Sequence, residues 1–320
     1  MRDVVVIGGG LSGLAACYEL EKRGAAYTVI EVKRRFGGGI GSSVVAGFVM
    51  DACAFAFRRP AADVLPPEFD LEASILPLAD DICVFRRGSE SLARAFACRL
   101  GGGRLMRMAV SSLGALRSRF TICLENGIML DGGALILAAP APYAARMLWN
   151  LAPEAARLLT EFRYDAIRRV SLGYHQSDLP AGLDFSPDET FPFIIAVDQT
   201  ERLPDRDHKL LQVAFRSAED LSTADVVGRA AQRVGGSAAP IAARVDYWPE
   251  ADLLSDYADD HREKIRAIRE LLPPGLSLVG SDYCCAPPER SGVAYLDERI
   301  CAGRQAAQEA LEFLKAGRKR

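Results

Sequence analysis

The chain has 320 residues, which is enough for one large domain or two ordinary ones. Of these residues, 49% are apolar and 25% are charged, which is typical of a water-soluble globular protein. The net charge is −3 and the Lys and Arg residues are dispersed, so the composition argues against a nucleic-acid partner. No apolar stretch of the sequence is long enough to span a membrane.

The first apolar run begins almost at Met1, so we expect no signal peptide before it and a cytoplasmic protein. None of the eight cysteines forms C-x-x-C or stands at zinc-binding spacing from one of the three histidines. We therefore expect no metal site. The adjacent pair Cys284-Cys285 falls near the cofactor site predicted below, and a redox role for this pair is left open.

A β-α-β unit is predicted at the start of the chain. The apolar run Val4 to Ile7 has the length of a buried strand. An apolar-periodic helix begins at about Leu11 and ends at Gly24, a residue type that often caps helices. A second strand, Tyr27 to Ile30, closes on Glu31.

The turn between the first strand and the helix carries Gly8, Gly10 and Gly13 in G-x-G-x-x-G spacing. Gly8 permits the tight turn, Gly10 lets a pyrophosphate approach the backbone, and Gly13 lets the helix pack closely on the sheet. The free N–H groups of the helix start attract the phosphates. Glu31 lies about 20 residues on, where a carboxylate accepts hydrogen bonds from ribose hydroxyls. Together these features predict a bound dinucleotide.

The residues after Glu31 indicate which dinucleotide is bound. Val-Lys-Arg-Arg-Phe and then Gly37-Gly38 follow the acid, and this segment resembles the flavin-containing amine oxidase superfamily. That group includes monoamine and polyamine oxidases, protoporphyrinogen oxidases, phytoene desaturases and renalases. The resemblance implies that the cofactor is FAD. The usual form of the motif ends in Gly-Gly-Arg, but this chain has Gly39 in place of the arginine, which in the family lies close to the flavin and its pyrophosphate.

The next segments follow the same resemblance. Val44 to Met50 reads as a strand that leads to Asp51, an acid the family also has, whereas Cys53 stands where a glycine is usual. Residues 58–80 read as a loop rich in Pro and acids. Val110 matches the family position whose backbone contacts the adenine edge. Further strands are predicted at Ile82 to Arg86, Leu105 to Val110, Phe120 to Leu124, Ile128 to Leu130 and Ala134 to Ala139, with a helix from about residue 89 to 100.

The middle of the chain has a different pattern. A helix is predicted from Met147 to Phe162, and then strands separated by polar links, which suggests an antiparallel or mixed sheet. In the resembled family this part is the substrate domain, which covers the flavin. These strands are Ile167 to Tyr174, Phe191 to Val197 and Lys209 to Phe215, with a helix from Ala218 to Val234. A further strand, Ile241 to Trp248, resembles the segment that precedes the flavin site in protoporphyrinogen oxidases and renalases.

The last part of the chain resembles the family's second FAD signature. A helix from Asp260 to Leu272 and a strand from Leu276 to Val279 precede Gly280-Ser281, and Gly292-Val293 precede a final helix from about Tyr295 to Leu314. Ser281 stands where many relatives have an acid. The residues assigned to FAD are therefore Gly8, Gly10, Leu11, Ser12, Gly13, Glu31, Val32, Gly38, Gly39, Val110, Gly280, Ser281, Gly292 and Val293.

The expected fold class is α/β, with a Rossmann-like FAD/NAD(P)-binding domain of the GR2 type and a smaller α+β substrate domain on a mixed or antiparallel sheet. Residues 1–57, 81–145 and 246–320 are expected to form the FAD domain. Residues 146–245, with or without 58–80, are expected to form the substrate domain.

The resemblance implies an FAD-dependent oxidoreductase that moves a hydride from a C–N or C–C bond of a small organic substrate to flavin N5, with oxygen or another electron acceptor. A renalase-like oxidase of reduced nicotinamides is an alternative. A flavin-binding scaffold without catalysis is another, motivated by Gly39 and Cys53. Lys209 and Trp248 are weak catalytic candidates, and the sequence leaves both open between a catalytic and a structural role.

Overall fold

The computed structural model describes residues 4–54, 56–59, 64–71, 74–79, 81–198, 200–216, 220–253, 259–284 and 293–317. Its helices are α1 (Leu11–Lys22), α2 (Glu90–Ala97), α3 (Ala141–Leu148), α4 (Pro153–Thr160), α5 (Thr223–Val234), α6 (Asp259–Leu271) and α7 (Leu296–Gly317). Single 3₁₀ turns cover Pro67–Phe69, Gln176–Asp178, Thr200–Arg202 and Ser281–Tyr283.

Within the described residues, the strands share five sheets. In chain order they are β1 (Val4–Ile7), β2 (Tyr27–Glu31), β3 (Ser42–Val45), β4 (Phe48–Asp51), β5 (Ala56–Arg58), β6 (Ile75–Ala79), β7 (Ile82–Phe85), β8 (Gly103–Met106), β9 (Val110–Leu116), β10 (Arg119–Leu124), β11 (Met129–Gly132), β12 (Ala134–Leu137), β13 (Tyr164–His175), β14 (Phe193–Val197), β15 (His208–Arg216), β16 (Ala242–Leu253), β17 (Leu276–Leu278) and β18 (Val293–Ala294).

A parallel sheet of order β17-β12-β1-β2-β8 forms the centre of the first layer. Every residue of β1 is buried, because successive side chains point to opposite faces and both faces are covered. Val4 and Val6 pack with α1, α2 and α7, whereas Val5 and Ile7 pack with β9, β10, α3, α4 and α6. The predicted Rossmann-like domain is therefore confirmed.

The first and last described helices pack unusually closely at Gly303 of α7. A Cβ atom there would lie 2.1 Å from the backbone oxygen of Ser12 and 3.0 Å from Ala15 Cβ. Ala306 and Ala307, on the same helix, are also buried. The small residues of the final helix thus allow it to approach α1 closely enough to share one core with the parallel sheet.

The second layer is an antiparallel sheet of order β14-β15-β13-β16, as predicted. Its outer face packs on α5 through Val226, Ala230 and Val234. Its inner face packs on the β3–β4 hairpin, where Phe48 and Met50 share a buried cluster with side chains of β14 and β15. The domain boundaries stay a prediction, and β16 runs through the proposed boundary between residues 245 and 246.

Val44 to Met50 is a hairpin, so the prediction of one continuous strand there is wrong. Ala46 and Gly47 have φ of 47° and 85° and turn the chain between β3 and β4. Two successive residues of positive φ form the two-residue turn that matches the twist of antiparallel strands. The sequence does not predict this turn, because Ala46 lies in an apolar run and alanine rarely adopts a positive φ.

Two other predicted elements are also divided in the structure. The helix predicted from Met147 to Phe162 is two helices, α3 and α4, because Pro153 begins a new helix at its first position. The strand predicted from Leu105 to Val110 is interrupted at Arg107, whose φ is 57°. Among the described residues, no helix has the length and apolarity needed to cross a membrane.

Candidate cofactor site

The turn from β1 to α1 leaves no room for side chains at Gly8 and Gly13. Gly8 has φ of 105°, and a Cβ atom on it would lie 2.2 Å from the carbonyl oxygen of Ala138. A Cβ atom on Gly13 would lie 2.0 Å from the carbonyl oxygen of Gly8. These two glycines therefore fix the helix against the sheet, as the fingerprint predicts.

Gly10 differs from both, because a side chain there would extend into open space. The nearest atom to a Cβ on Gly10 is Gly38 Cα, at 3.9 Å. Gly10 caps α1 without a side-chain hydrogen bond, and the first turn of α1 contains no acid. The side chains of Leu11 and Ser12 are buried, so this turn offers its backbone. The Gly38 backbone packs on Gly10, and we call the open space beside this contact, at the start of α1, the cofactor cleft. A pyrophosphate at this helix start needs that space, which a side chain on Gly10 would occupy.

Glu31 joins the two turns that border this cleft. Its carboxylate is buried and accepts hydrogen bonds from the backbone N–H of Gly9 and of Lys33, both at 2.7 Å. Each carboxylate oxygen can accept a second hydrogen bond, so a ribose hydroxyl can still bind. The next side chain, Val32, is 62% exposed.

The segment that leads to Val110 lies beside this acid. Met108 N–H donates to the carbonyl oxygen of Glu31 at 3.0 Å, and Arg107 N–H donates to that of Lys33 at 3.2 Å. Val110 itself is buried and begins β9. The structure thus brings Val110, Glu31 and the cofactor cleft to one edge of the parallel sheet.

Gly39 lies against Trp248 of the second layer. Its φ is not positive, and a Cβ atom there would make an ordinary contact of 3.6 Å with the Trp248 ring. The Trp248 indole N–H donates to the carbonyl oxygen of Ala52 at 2.8 Å. Trp248 therefore joins Gly39 and the Asp51–Cys53 segment at the boundary between the two layers.

Position 39 has no arginine, but two basic side chains approach the Gly37–Gly39 loop. Lys33 Nζ donates to the carbonyl oxygen of Gly38 at 3.2 Å and lies 5.7 Å from the centre of the Trp248 ring. The Arg35 guanidinium donates to the carbonyl oxygens of Phe36, at 3.1 Å, and of Ile40. The loop thus keeps positive charge although it departs from the family motif.

Asp51 lies at the centre of a buried polar network that joins the two layers. Its carboxylate accepts from Ser89 N–H and Oγ, each at 3.0 Å, and pairs with Arg202 at 2.8 Å, with both charged side chains fully buried. Gln212 Nε2 donates to the carbonyl oxygens of Asp51, at 3.2 Å, and Cys53, at 2.9 Å. Cys53 has no positive φ, so the backbone does not require the usual glycine.

The second signature places its acid one residue later than the family pattern. Gly280 has φ of 148° and Ser281 is exposed. Asp282 is buried instead, and its carboxylate accepts from Ala141 N–H at 2.8 Å and from the Tyr164 hydroxyl at 2.6 Å. Burial and the adjacent Asp282 carboxylate raise the pKa of Tyr164 far above its ordinary value, so the phenol stays a donor.

The other predicted residues of this signature are only partly described. Gly292 and Cys285 lie outside the described residues. The backbone of Val293 begins β18 and pairs in parallel with Ala56. The final helix begins at Leu296.

The two catalytic candidates lie far apart. Trp248 pairs with Ile167 across β13 and β16, whereas Lys209 pairs with Tyr174 across β13 and β15. Their partners on β13, Ile167 and Tyr174, are seven residues apart, which is about 23 Å along a strand. Lys209 Nζ lies 3.6 Å from Asp198, away from the cofactor cleft.

Comparisons with known proteins agree with this geometry. Residues 6–65 match the family of NAD(P)-binding Rossmann-like domains. Over 45 residues the chain is 49% identical to a thiamine thiazole synthase of Metallosphaera sedula, a match that covers 14% of this chain and 17% of that protein.

Two solved structures share the whole fold. A protein of Exiguobacterium sp. 255-15 assigned as a protoporphyrinogen oxidase superposes with a TM-score of 0.76 at 13% identity, covering 97% of this chain and 99% of the other. Putrescine oxidase with putrescine bound has a TM-score of 0.66 at 16% identity, with the same coverage.

The fold and the cleft define the class: a protein with a Rossmann-like dinucleotide-binding domain covered by an antiparallel sheet. Within that class, the chain shares its fold with the two proteins just described.

Proposed function

We propose that this chain is an FAD-dependent oxidoreductase of the amine oxidase or protoporphyrinogen oxidase type. The observation that carries the proposal is that three features meet at one edge of the parallel sheet: the amides at the start of α1, the Glu31 carboxylate and the Gly37–Gly39 loop. Gly39 of this loop lies against Trp248 of the second layer. A dinucleotide bound along this edge would have its ring at the boundary between the layers.

Each part of this edge has a role in the proposal. Glu31 holds the adenosine ribose, the amides of Leu11, Ser12 and Gly13 bind the pyrophosphate, and the Val110 backbone reads the adenine edge. Bound FAD supplies the hydride acceptor, and the electrons pass on to oxygen or another acceptor. Gly280, Ser281, Gly292 and Val293 complete the proposed set on the ribityl and ring side.

The second layer is the proposed substrate side. Gln212 contacts the Asp51–Cys53 backbone, so the face of the sheet that carries Gln212 faces the cofactor domain. Next to Trp248 on that face, Ile167, Phe193 and Ala214 form a buried apolar cluster. The buried Arg169 guanidinium lies 5.0 Å from the centre of the Phe193 ring, so this wall also carries a positive charge. Trp248 is therefore retained as a candidate that contacts flavin or substrate, whereas Lys209 lies outside this region.

The visible absorption spectrum of the purified protein tests the proposal. We expect flavin bands, release of the chromophore on denaturation, and bleaching by a donor among amines, porphyrinogens and reduced nicotinamides. A colourless protein that takes up no added FAD would contradict the proposal and favour the scaffold alternative. Flavin that binds but is bleached by none of these donors would contradict the catalytic part alone.

A further inference from the structure

A second cavity lies outside the cofactor cleft. It encloses about 500 Å³ between the β3–β4 hairpin and the exposed side of α2, a volume within the range of small-molecule sites. None of the residues assigned to FAD lines it. We call it the arginine groove, after Arg87, Arg94 and Arg99 in its wall.

The charge of the groove is positive. Arg94 is offset by Glu90, at 3.1 Å. Arg99 donates to the carbonyl oxygens of Ala95, at 3.0 Å, and Glu68, which carry no formal charge. Within the described part of the chain, no carboxylate lies at ion-pair distance from Arg87. Arg87 and Arg99 therefore leave a positive surface that favours an anion.

The remaining wall is apolar and hydroxyl-bearing. Val44, which is 69% exposed, lines it together with Val49 and Ala95. The buried ring of Phe69 lies 4.7 Å below the Arg99 guanidinium and supports that side chain in the wall. A ligand that covers these apolar atoms and meets the guanidinium groups needs an apolar body and an acidic group.

We infer that the arginine groove binds a small organic anion with an aromatic or aliphatic body, at a site separate from the cofactor cleft. Arg87 and Arg99 bind the acidic group through charge-assisted hydrogen bonds, and Val44 and Val49 cover the body. The inference holds whether or not the proposed redox activity does, because it uses none of the residues of the cofactor cleft.

Anilinonaphthalene sulfonate is a direct probe of this site, since its fluorescence rises when it binds an apolar surface. With FAD present to fill the cofactor cleft, we expect saturable binding of one probe per chain. N-phenyl-1-naphthylamine has the same aromatic body without the sulfonate and should bind at least about tenfold more weakly. Equal binding of the neutral compound would overturn the inference.

A matched pair of variants tests the charge. Val44 is exposed on a hairpin, so Val44→Glu and Val44→Lys should both fold. Val44→Glu should weaken probe binding about tenfold by repulsion, whereas Val44→Lys should retain or strengthen it. Arg87→Gln should also weaken binding about tenfold, and Arg146→Gln, outside the groove, should leave it unchanged. Equal affinities in the two Val44 variants would contradict the assignment.

Cysteine labelling locates the bound probe. Cys98 is exposed and lines the groove, whereas Cys301 is exposed on α7 and lies outside it. Saturating probe should slow alkylation of Cys98 by iodoacetamide and leave Cys301 unaffected, as measured by mass spectrometry of peptides. If both cysteines keep their rates while the probe is bound, the probe lies elsewhere and the inference fails.

Discussion

Gly10 and Gly13 stand three positions apart in one turn, but the structure assigns them different roles. A Cβ atom on Gly13 would lie 2.0 Å from a backbone oxygen, whereas one on Gly10 would fill only the open cleft. Gly10 has φ of −71°, which alanine also adopts. The fold thus requires the second glycine but not the first, whose role we assign to the proposed ligand.

We therefore predict opposite results for two alanine variants. Gly10→Ala should keep the unfolding temperature of the FAD-free protein but lower the FAD content after gel filtration. Gly13→Ala should lower the unfolding temperature itself, by overpacking that costs about 1–3 kcal/mol. Differential scanning calorimetry and the ratio of absorbance at 450 nm to that at 280 nm measure the two effects. Full FAD content in Gly10→Ala would contradict the assigned cleft.

Glu31→Gln should weaken FAD binding and the fold together. Both carboxylate oxygens accept backbone N–H groups, and a glutamine amide would turn one acceptor into a donor. A buried N–H left without a partner costs about 1–3 kcal/mol. Urea unfolding of the FAD-free variant measures that loss, and Glu263→Gln, at an exposed position of α6, serves as the control. Equal unfolding free energies in wild type and Glu31→Gln would argue against this role.

His261 gives the protein a predicted sensitivity to acid. Its ring lies 5.6 Å from Phe162, and burial lowers the pKa of His261 below its ordinary value of 6.5. The folded state then binds fewer protons than the unfolded state below pH 6.5, so stability falls as the pH drops through that range. From pH 8 to pH 5, the unfolding temperature of His261→Gln should fall by less than that of the wild type. A parallel loss in both proteins would exclude His261 as the cause.

Residue patterns predict some of this site and miss the rest for a physical reason. The glycines are found because neighbours in sequence are also neighbours in the turn, and Glu31 is found because the β-α-β unit fixes its distance from them. Arg202 and Gln212 are missed, because they reach Asp51 from positions 151 and 161 residues away. No local pattern records such a contact, although a single Gln on an otherwise apolar strand was a usable signal.

At the scale of elements, glycine again has two opposite roles in helices. Gly303 of α7 allows the close contact with α1, whereas Gly228 of α5 is exposed and a Cβ atom there would meet nothing within 4 Å. Gly303→Ala should destabilise the protein by about 1–3 kcal/mol, because the helices must separate. Gly228→Ala should stabilise it by about 0.5–1 kcal/mol through helix propensity. Thermal unfolding of the pair measures both, and a stabilised Gly303→Ala would contradict the close packing.

Hydrophobic periodicity predicts whether a segment is a helix or a strand better than it predicts where the segment begins and ends. The buried strands β1, β2 and β12 are apolar throughout, so their pattern is unambiguous. The β3–β4 hairpin is missed because Ala46 adopts a left-handed conformation, which the sequence does not predict for an alanine. Turns made by such residues depend on the pairing of the flanking strands, which only the folded chain supplies.

At the scale of the whole molecule, the Asp51–Arg202 pair joins the two layers. Both side chains are fully buried, and Arg202 also donates to the carbonyl oxygen of Val49 at 2.8 Å. Arg202→Met leaves a buried carboxylate without its counter-ion, which costs about 3–5 kcal/mol. The exposed Arg146→Met should change stability by no more than about 0.5 kcal/mol. Urea unfolding compares the two, and a loss below about 1 kcal/mol in Arg202→Met would show that the pair is dispensable.

The edge strand β17 and the helix α7 have a consequence for how the protein is made. β17 and α7 complete the sheet and the core that β1, α1 and β12 begin. More than a hundred residues of chain separate β12 from β17. During synthesis the amino-terminal part therefore emerges with one face of α1 uncovered until the last part of the chain leaves the ribosome. Contacts of such large sequence separation form slowly, and the exposed apolar surface invites chaperone binding. Ribosomes that stop before residue 276 would release chains that cannot close the nucleotide-binding layer and become substrates for proteolysis.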